Sequence, residues 1–383
     1  MRLIYCNGNL QVLLRTVVVM YICNINIGVS GQQVVGDDFD VDVAPQAAAT
    51  PEMVPAMFIF GDSLIDNGNN NNLASLAKAN YYPYGIDFKA GPTGRFSNGY
   101  TMVDEIADLL GLPLVPAYSE ASTHDMLHGV NYASAAAGIL DITGRNFVGR
   151  IPFNRQLDNF ESSLTQIRAR VGAANLAQQL SRSIFFVGMG SNDYLNNYLM
   201  PNYPTKTQYN GPQFADLLVQ QYTAQLTRLY ALGARKVIIA GLGLMGCIPS
   251  ILSQSTTSQC SEEVNQLVLP FNANTKTMIN NLNTNLPGAR ITFIDIHNMI
   301  QDILANPGSY GFSVLDRGCC GIGKNNGQIT CLPMQQPCSN RDQYVFWDAF
   351  HPTEAVNVLM ARKAFTGNQD VVSPINIQQL ANL

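Results

Sequence analysis

Five short apolar runs punctuate the chain, each with Gly or Asn within four residues of its end: "AMFIF" (56–60), "GVNYAS" (129–134), "SIFFVGM" (183–189), "RKVIIAGL" (235–242) and "RITFIDI" (290–296). Short runs rich in Val, Ile and Phe predict buried strands. Between them the apolar spacing changes. In "YTMVDEIADLLGL" (100–112) and "GPQFADLLVQQYTAQLTRLYALG" (211–233) apolar residues recur at three and four positions, as on one face of a helix, with Gly near the end. Strands alternating with helices predict an α/β fold whose mostly parallel central sheet is covered on both faces. Functional residues of such sheets gather beyond the carboxyl ends of the strands. No internal repeat or break in composition divides 56–383, so a single domain is expected there.

The pattern differs at the N-terminus. Arg2 and Arg15 precede "TVVVMYICNINI" (16–27) and the small residues "GVSG" (28–31). The apolar stretch is shorter than the roughly 20 residues of a spanning helix, so 1–31 reads as a secretory signal peptide. Residues 32–55 are acidic, then Ala/Pro-rich and aperiodic, as in a mobile leader. No later run reaches spanning length, so no integral membrane span is expected after signal removal.

Secretion changes the reading of the cysteines. Without Cys6 and Cys23, six remain: Cys247, Cys260, Cys319, Cys320, Cys331 and Cys338. An even count in a secreted chain predicts disulfides, with about fifteen possible pairings. Zinc is disfavoured, because no C-x-x-C pair occurs and no His stands near these cysteines before His351. A net charge of −5, with 13% charged residues, leaves no basic stripe for a phosphate backbone. Nucleic acid is excluded as a partner, and a small, neutral or apolar one is expected.

Three motifs invite other readings. "GLGLMG" (241–246) matches a dinucleotide fingerprint, but Cys247, Pro249 and a polar loop follow where a helix is required, so it reads as a Gly-rich turn pinned by a disulfide. His124 and His128 in "HDMLH" lack the Glu of a zincin helix and read as surface histidines. The run "NGNNNN" (67–72) reads as solvated turns.

Ser63, in "FIFGDSLIDNGNN", stands where the first strand gives way, either as a helix cap or as a nucleophile. A serine nucleophile needs a base. His351 in "FWDAFHPT" is the stronger candidate, because Asp348 three residues earlier is placed to hold its other ring nitrogen. His297, at the end of "FIDI", is the weaker. Asp62 reads as a brace for the serine turn. Donors for an oxyanion are expected at two further strand ends, from the Gly138 N–H in "GVNYASAAAG" and the Asn192 side chain in "GMGSND".

These four blocks, in their order along the chain from Ser63 through Gly138 and Asn192 to His351, resemble those of the GDSL esterase/lipases of the SGNH hydrolase superfamily in their plant form. The stretches "PTGRFSNGYTMVDEIADLLGLP" and "GCCGIG" strengthen the resemblance, which covers about 56–380. It implies a three-layer α/β/α, flavodoxin-like domain acting on small-molecule or lipid carboxylic esters without a cofactor or metal. Ser63 would be nucleophile, His351 base and Asp348 its orienting carboxylate, with an oxyanion hole from Ser63, Gly138 and Asn192. The family often has S-G-G-A-G where this chain has "SAAAG" (134–138), so Ala136 or Ala137 stand as alternatives to Gly138. Transfer of the acyl group to an alcohol, as in cutin-forming relatives, uses the same residues; a non-catalytic extracellular binding protein is the remaining alternative. A secreted enzyme of the plant cell wall or cuticle is implied, with loops 76–100 and 198–213 expected to set chain-length preference.

Overall fold

The computed structural model describes residues 51–383. The expected signal peptide and most of the expected leader therefore lie outside the described residues. The last leader residues belong to the fold: Val54 is buried, and the Met53 N–H donates to the Leu110 carbonyl at 3.0 Å.

Each apolar run forms a strand: β1 (Met57–Gly61), β2 (Gly129–Asn131), β3 (Ile184–Gly188), β4 (Lys236–Ala240) and β5 (Arg290–Ile294). They pair in parallel in the order β2-β1-β3-β4-β5. Three strands escape the sequence pattern. β6 (Val314–Gly318) and β7 (Tyr344–Phe346) form a separate pair, and β8 (Val372–Ser373) joins β5 antiparallel at the sheet edge.

Alternate residues of each strand serve opposite layers. Phe58, Phe60, Phe185, Val187, Ile239 and Phe293 point to one layer. There they meet the apolar stripes of α2 (Phe153–Val171), α3 (Ala173–Arg182), α4 (Gly211–Ala231) and α5 (Glu262–Asn285). Met57, Ile59, Ile184, Phe186 and Ile238 point the other way. They pack on α1 (Met102–Leu109), α6 (Ile296–Ala305), α7 (Glu354–Thr366) and α8 (Ile377–Ala381). The domain is thus the expected three-layer α/β/α sandwich.

The strand order positions the site. From β1 the sheet grows in both directions, to β2 on one side and β3 on the other, and the connections diverge beyond Gly61. Such a switch point leaves a crevice at the carboxyl ends of the strands. Disulfides join Cys247 to Cys260, Cys319 to Cys338 and Cys320 to Cys331. The last two surround Tyr84, Phe96 and Trp347 in a small apolar cluster behind the crevice. Among the described residues no helix is long and apolar enough to cross a membrane.

Candidate active site

Ser63 lies two residues beyond the end of β1, in a turn braced by its neighbour. Asp62 accepts from the Leu64 N–H at 3.0 Å, and its carbonyl accepts from Ile65 and Asp66. Burial pushes the Asp62 carboxyl up to about 6, against the lowering effects of the Leu64 N–H and His351. No hydrogen bond joins Asp62 to His351.

The imidazole comes from the other end of the chain. His351 Nε2 lies 2.7 Å from Ser63 Oγ, while Nδ1 lies 2.8 and 2.9 Å from the two Asp348 oxygens. Asp348 also accepts from the backbone N–H groups of Phe350 and His351, both at 2.8 Å. A turn closed by the Trp347 N–H on the His351 carbonyl therefore fixes carboxylate and ring together. Asp348 is fully buried. Burial alone would raise its pKa, but His351 and the surrounding donors outweigh it and hold the carboxyl below its ordinary value.

Two further strand ends supply donors. After β3, Gly190 has φ +123°, a conformation that favours glycine and turns the chain into Asn192. The Asn192 oxygen accepts from Asn196 at 2.6 Å, and its Nδ2 donates to the Ala137 carbonyl at 3.0 Å. One amide hydrogen is left over.

After β2, the loop 134–140 places Ala136, at φ +64°, on the lining of the crevice. Gly138 is not on that lining. A Cβ there would meet Thr143 at 2.5 Å and Asp193 at 2.7 Å, so its α-carbon faces these residues instead. Among the described residues, the Ser63 and Ala136 N–H groups donate to no protein acceptor.

The family follows from sequence comparison. Residues 57–364 match the family described as GDSL-like Lipase/Acylhydrolase. The chain belongs to it. The GDSL esterase/lipase At1g71691 of Arabidopsis thaliana is 65% identical over 93% of this chain and 94% of its own length. The A. thaliana GDSL esterase/lipases At1g71250 and 7 are both 49% identical, covering 88% and 86% of this chain and 92% and 93% of theirs. As a GDSL esterase/lipase the chain is a carboxylic-ester hydrolase. A carbohydrate esterase of known structure aligns with 65% of this chain and 61% of its own at 12% identity and a TM-score of 0.31, too remote to inform the site.

Several residues around the GDSL serine were misread or missed in the sequence. Of the asparagines of 67–72 only Asn72 is exposed, while Asn67, Asn69 and Asn70 are buried: Asn69 donates to the Asn131 and Ala133 carbonyls, and Asn70 to those of Ala77 and Ala135. They lace the serine loop to the end of β2 and to loop 134–140, and the NG and NN words that signal turns conceal this. Tyr84 and Thr330 both donate to Asp348 Oδ2, at 2.6 and 3.2 Å, and neither motif nor spacing announces them.

The other candidates stand aside. His297 opens α6. His124 is exposed, and His128 half-buried. "GLGLMG" turns from β4 into a short helical turn held by Cys247–Cys260, with no long helix to receive a dinucleotide. Loop 76–100 contributes Leu76, Tyr81, Tyr84 and Phe96 to the lining, whereas 198–213 contributes nothing.

Proposed function

We propose that the chain hydrolyses carboxylic esters through an acyl-enzyme on Ser63. The observation that carries this is the aligned set Ser63 Oγ, His351 Nε2, His351 Nδ1 and Asp348, with contacts of 2.7 and 2.8 Å. Because Nδ1 faces a carboxylate, it carries the ring proton and leaves Nε2 to accept. His351 takes the Oγ proton as Oγ attacks the ester carbonyl, and Asp348 stabilises the imidazolium. The tetrahedral oxyanion is held by the Ser63 and Ala136 N–H groups and the free Asn192 amide hydrogen. Ala136 thus takes the role that the sequence reading gave to Gly138. His351 then protonates the departing alcohol, and a water activated by the same ring releases the acid.

Turnover of p-nitrophenyl butyrate tests the reading. Ser63→Ala and His351→Ala are expected to abolish it while circular dichroism and unfolding temperature are retained; undiminished turnover in Ser63→Ala would overturn the mechanism. Asn192→Ala is expected to lower kcat by about 10²–10³, the cost of one oxyanion donor. The three disulfides support a secreted enzyme of the plant apoplast, because such bonds persist in oxidising compartments. Immunolocalisation of the tagged full chain in a leaf tests that, and retention in the cytosol would contradict it.

A further inference from the structure

The crevice does not end at the serine. It continues inward between the carboxyl ends of β3 and β4 and the helices α6 and α7, where Phe186, Ile296, Ile300 and Met360 line it. Its cavity volume is about 230 Å³. The acidic and basic residues on the lining, Asp62, Lys78 and His351, come from the serine turn, loop 76–100 and the histidine turn. None comes from β3, β4, α6 or α7.

Two small residues on the lining, Gly188 and Ala240, open this chamber. Gly61, Gly188 and Ala240 are direct partners across β1, β3 and β4. Two residues earlier on the same face, the partners are Ile59, Phe186 and Ile238, all large and buried. The pleat therefore repeats its apolar row once and then leaves it out.

At Gly188 the omission is not forced by crowding. A Cβ there would lie 3.4 Å from Phe186, 3.6 Å from Ile65 and 3.8 Å from Ala240, all ordinary contacts, and its φ does not require glycine. A core position that tolerates a side chain and lacks one, beside a reactive serine, preserves space.

We propose that this chamber binds the acyl chain of the substrate as an unbranched aliphatic chain, with Gly188 and Ala240 setting its admission and Ile300 its length limit. The proposal rests on Ser63 being the nucleophile. The lining runs from Gly188 and Ala240 at the ends of β3 and β4 to Ile296 and Ile300 on α6, so the chain would lie across the strand ends. Order of release assigns the chamber to the acyl group rather than the alcohol. The alcohol leaves first, and from a chamber walled by buried Ile300 and Met360 it would have to pass the acylated serine. The acid leaves last and meets no such obstacle. Chain-length selection then lies in the strand ends, rather than in the loops that the sequence suggested.

The test is a series of p-nitrophenyl acetate, butyrate, octanoate and decanoate with the wild type, Gly188→Leu and Ile300→Phe. For the wild type, kcat/KM is expected to rise by up to about fourfold per methylene buried. Gly188→Leu should lower the octanoate-to-acetate ratio at least tenfold, and Ile300→Phe should lower the decanoate ratio while sparing that of butyrate. Binding of decanoate to the Ser63→Ala protein, read by calorimetry, reports on the chamber without turnover, and adding Gly188→Leu or Ile300→Phe should weaken it at least tenfold. Unchanged ratios and unchanged decanoate binding would overturn the proposal. Decanoate binding that responds to the substitutions, together with a wild type that turns over none of the esters, would instead overturn the catalytic reading and leave the chamber standing.

Discussion

Asp348 receives donors from the side chains of Tyr84, Thr330 and His351 and from the backbone of Phe350 and His351. Tyr84 is itself buried, and burial beside this carboxylate drives its phenol pKa well above the ordinary value, so it remains a donor throughout the working pH range. Tyr84→Phe keeps the ring packed on Phe96 and Trp347 but removes the shortest side-chain hydrogen bond to the carboxylate. Hydrogen bonds to charged groups contribute about 1.5–3 kcal/mol, so kcat is expected to fall roughly tenfold to a hundredfold with KM little changed. Steady-state kinetics on p-nitrophenyl butyrate measures this, and a change confined to KM would refute a positioning role. Sequence legibility at this scale depends on locality. Asp348 and His351 are three residues apart and readable as a pair, whereas Tyr84 stands 264 positions from Asp348 and has no local mark. Ala136 was legible only as an alternative to Gly138, because its left-handed backbone is one that glycine adopts far more easily.

Loop 134–140 is held by two buried carboxylates, one at each end. Asp66 accepts from the N–H groups of Gly68, Asn69 and Ala135, all at 2.9 Å. Asp193 accepts from Ile139, Leu140 and the Thr143 hydroxyl. Ala136 thus sits between clamped neighbours. Asp66→Asn puts an amide NH₂ against the Ala135 N–H or the Gly68 and Asn69 pair, so kcat is expected to fall at least tenfold while secondary structure survives. Burial raises both carboxyls to about 6, opposed by these donors, against about 3.9 in the unfolded chain. Between pH 4 and 6 the unfolded chain therefore releases protons that the folded one keeps. Each group's contribution to stability falls as pH rises through that window and levels off above it. Denaturant midpoints across pH 4–7 should show a flatter decline in Asp66→Asn than in the wild type, and an equal or steeper decline would contradict the assignment. Five of the six strands of the main sheet were legible because apolar runs bounded by turn residues leave little else to form. β8, two residues long, and the β6–β7 pair were not, since neither builds a period.

Strand order, layers and disulfides bring distant segments to one crevice; the layers could be read in advance, the strand order and the disulfide pairing could not. The cystines show the limit: six cysteines were legible as bonded, but their pairing required the fold. Cys320–Cys331 holds the segment that presents Thr330 to Asp348, and the Tyr81 hydroxyl donates to the Cys331 carbonyl. Replacing both cysteines with serine is expected to cost about 2–5 kcal/mol of stability. It should also lower kcat, and a stability loss with unaltered kcat would show that the loop does not support the carboxylate. The central claim, that the crevice activates Ser63 as a nucleophile, is tested most directly by a fluorophosphonate probe followed by peptide mass spectrometry. A single adduct on the Ser63 peptide is expected, absent in Ser63→Ala and formed far more slowly in His351→Ala. An adduct on another residue, or labelling that persists in Ser63→Ala, would contradict it.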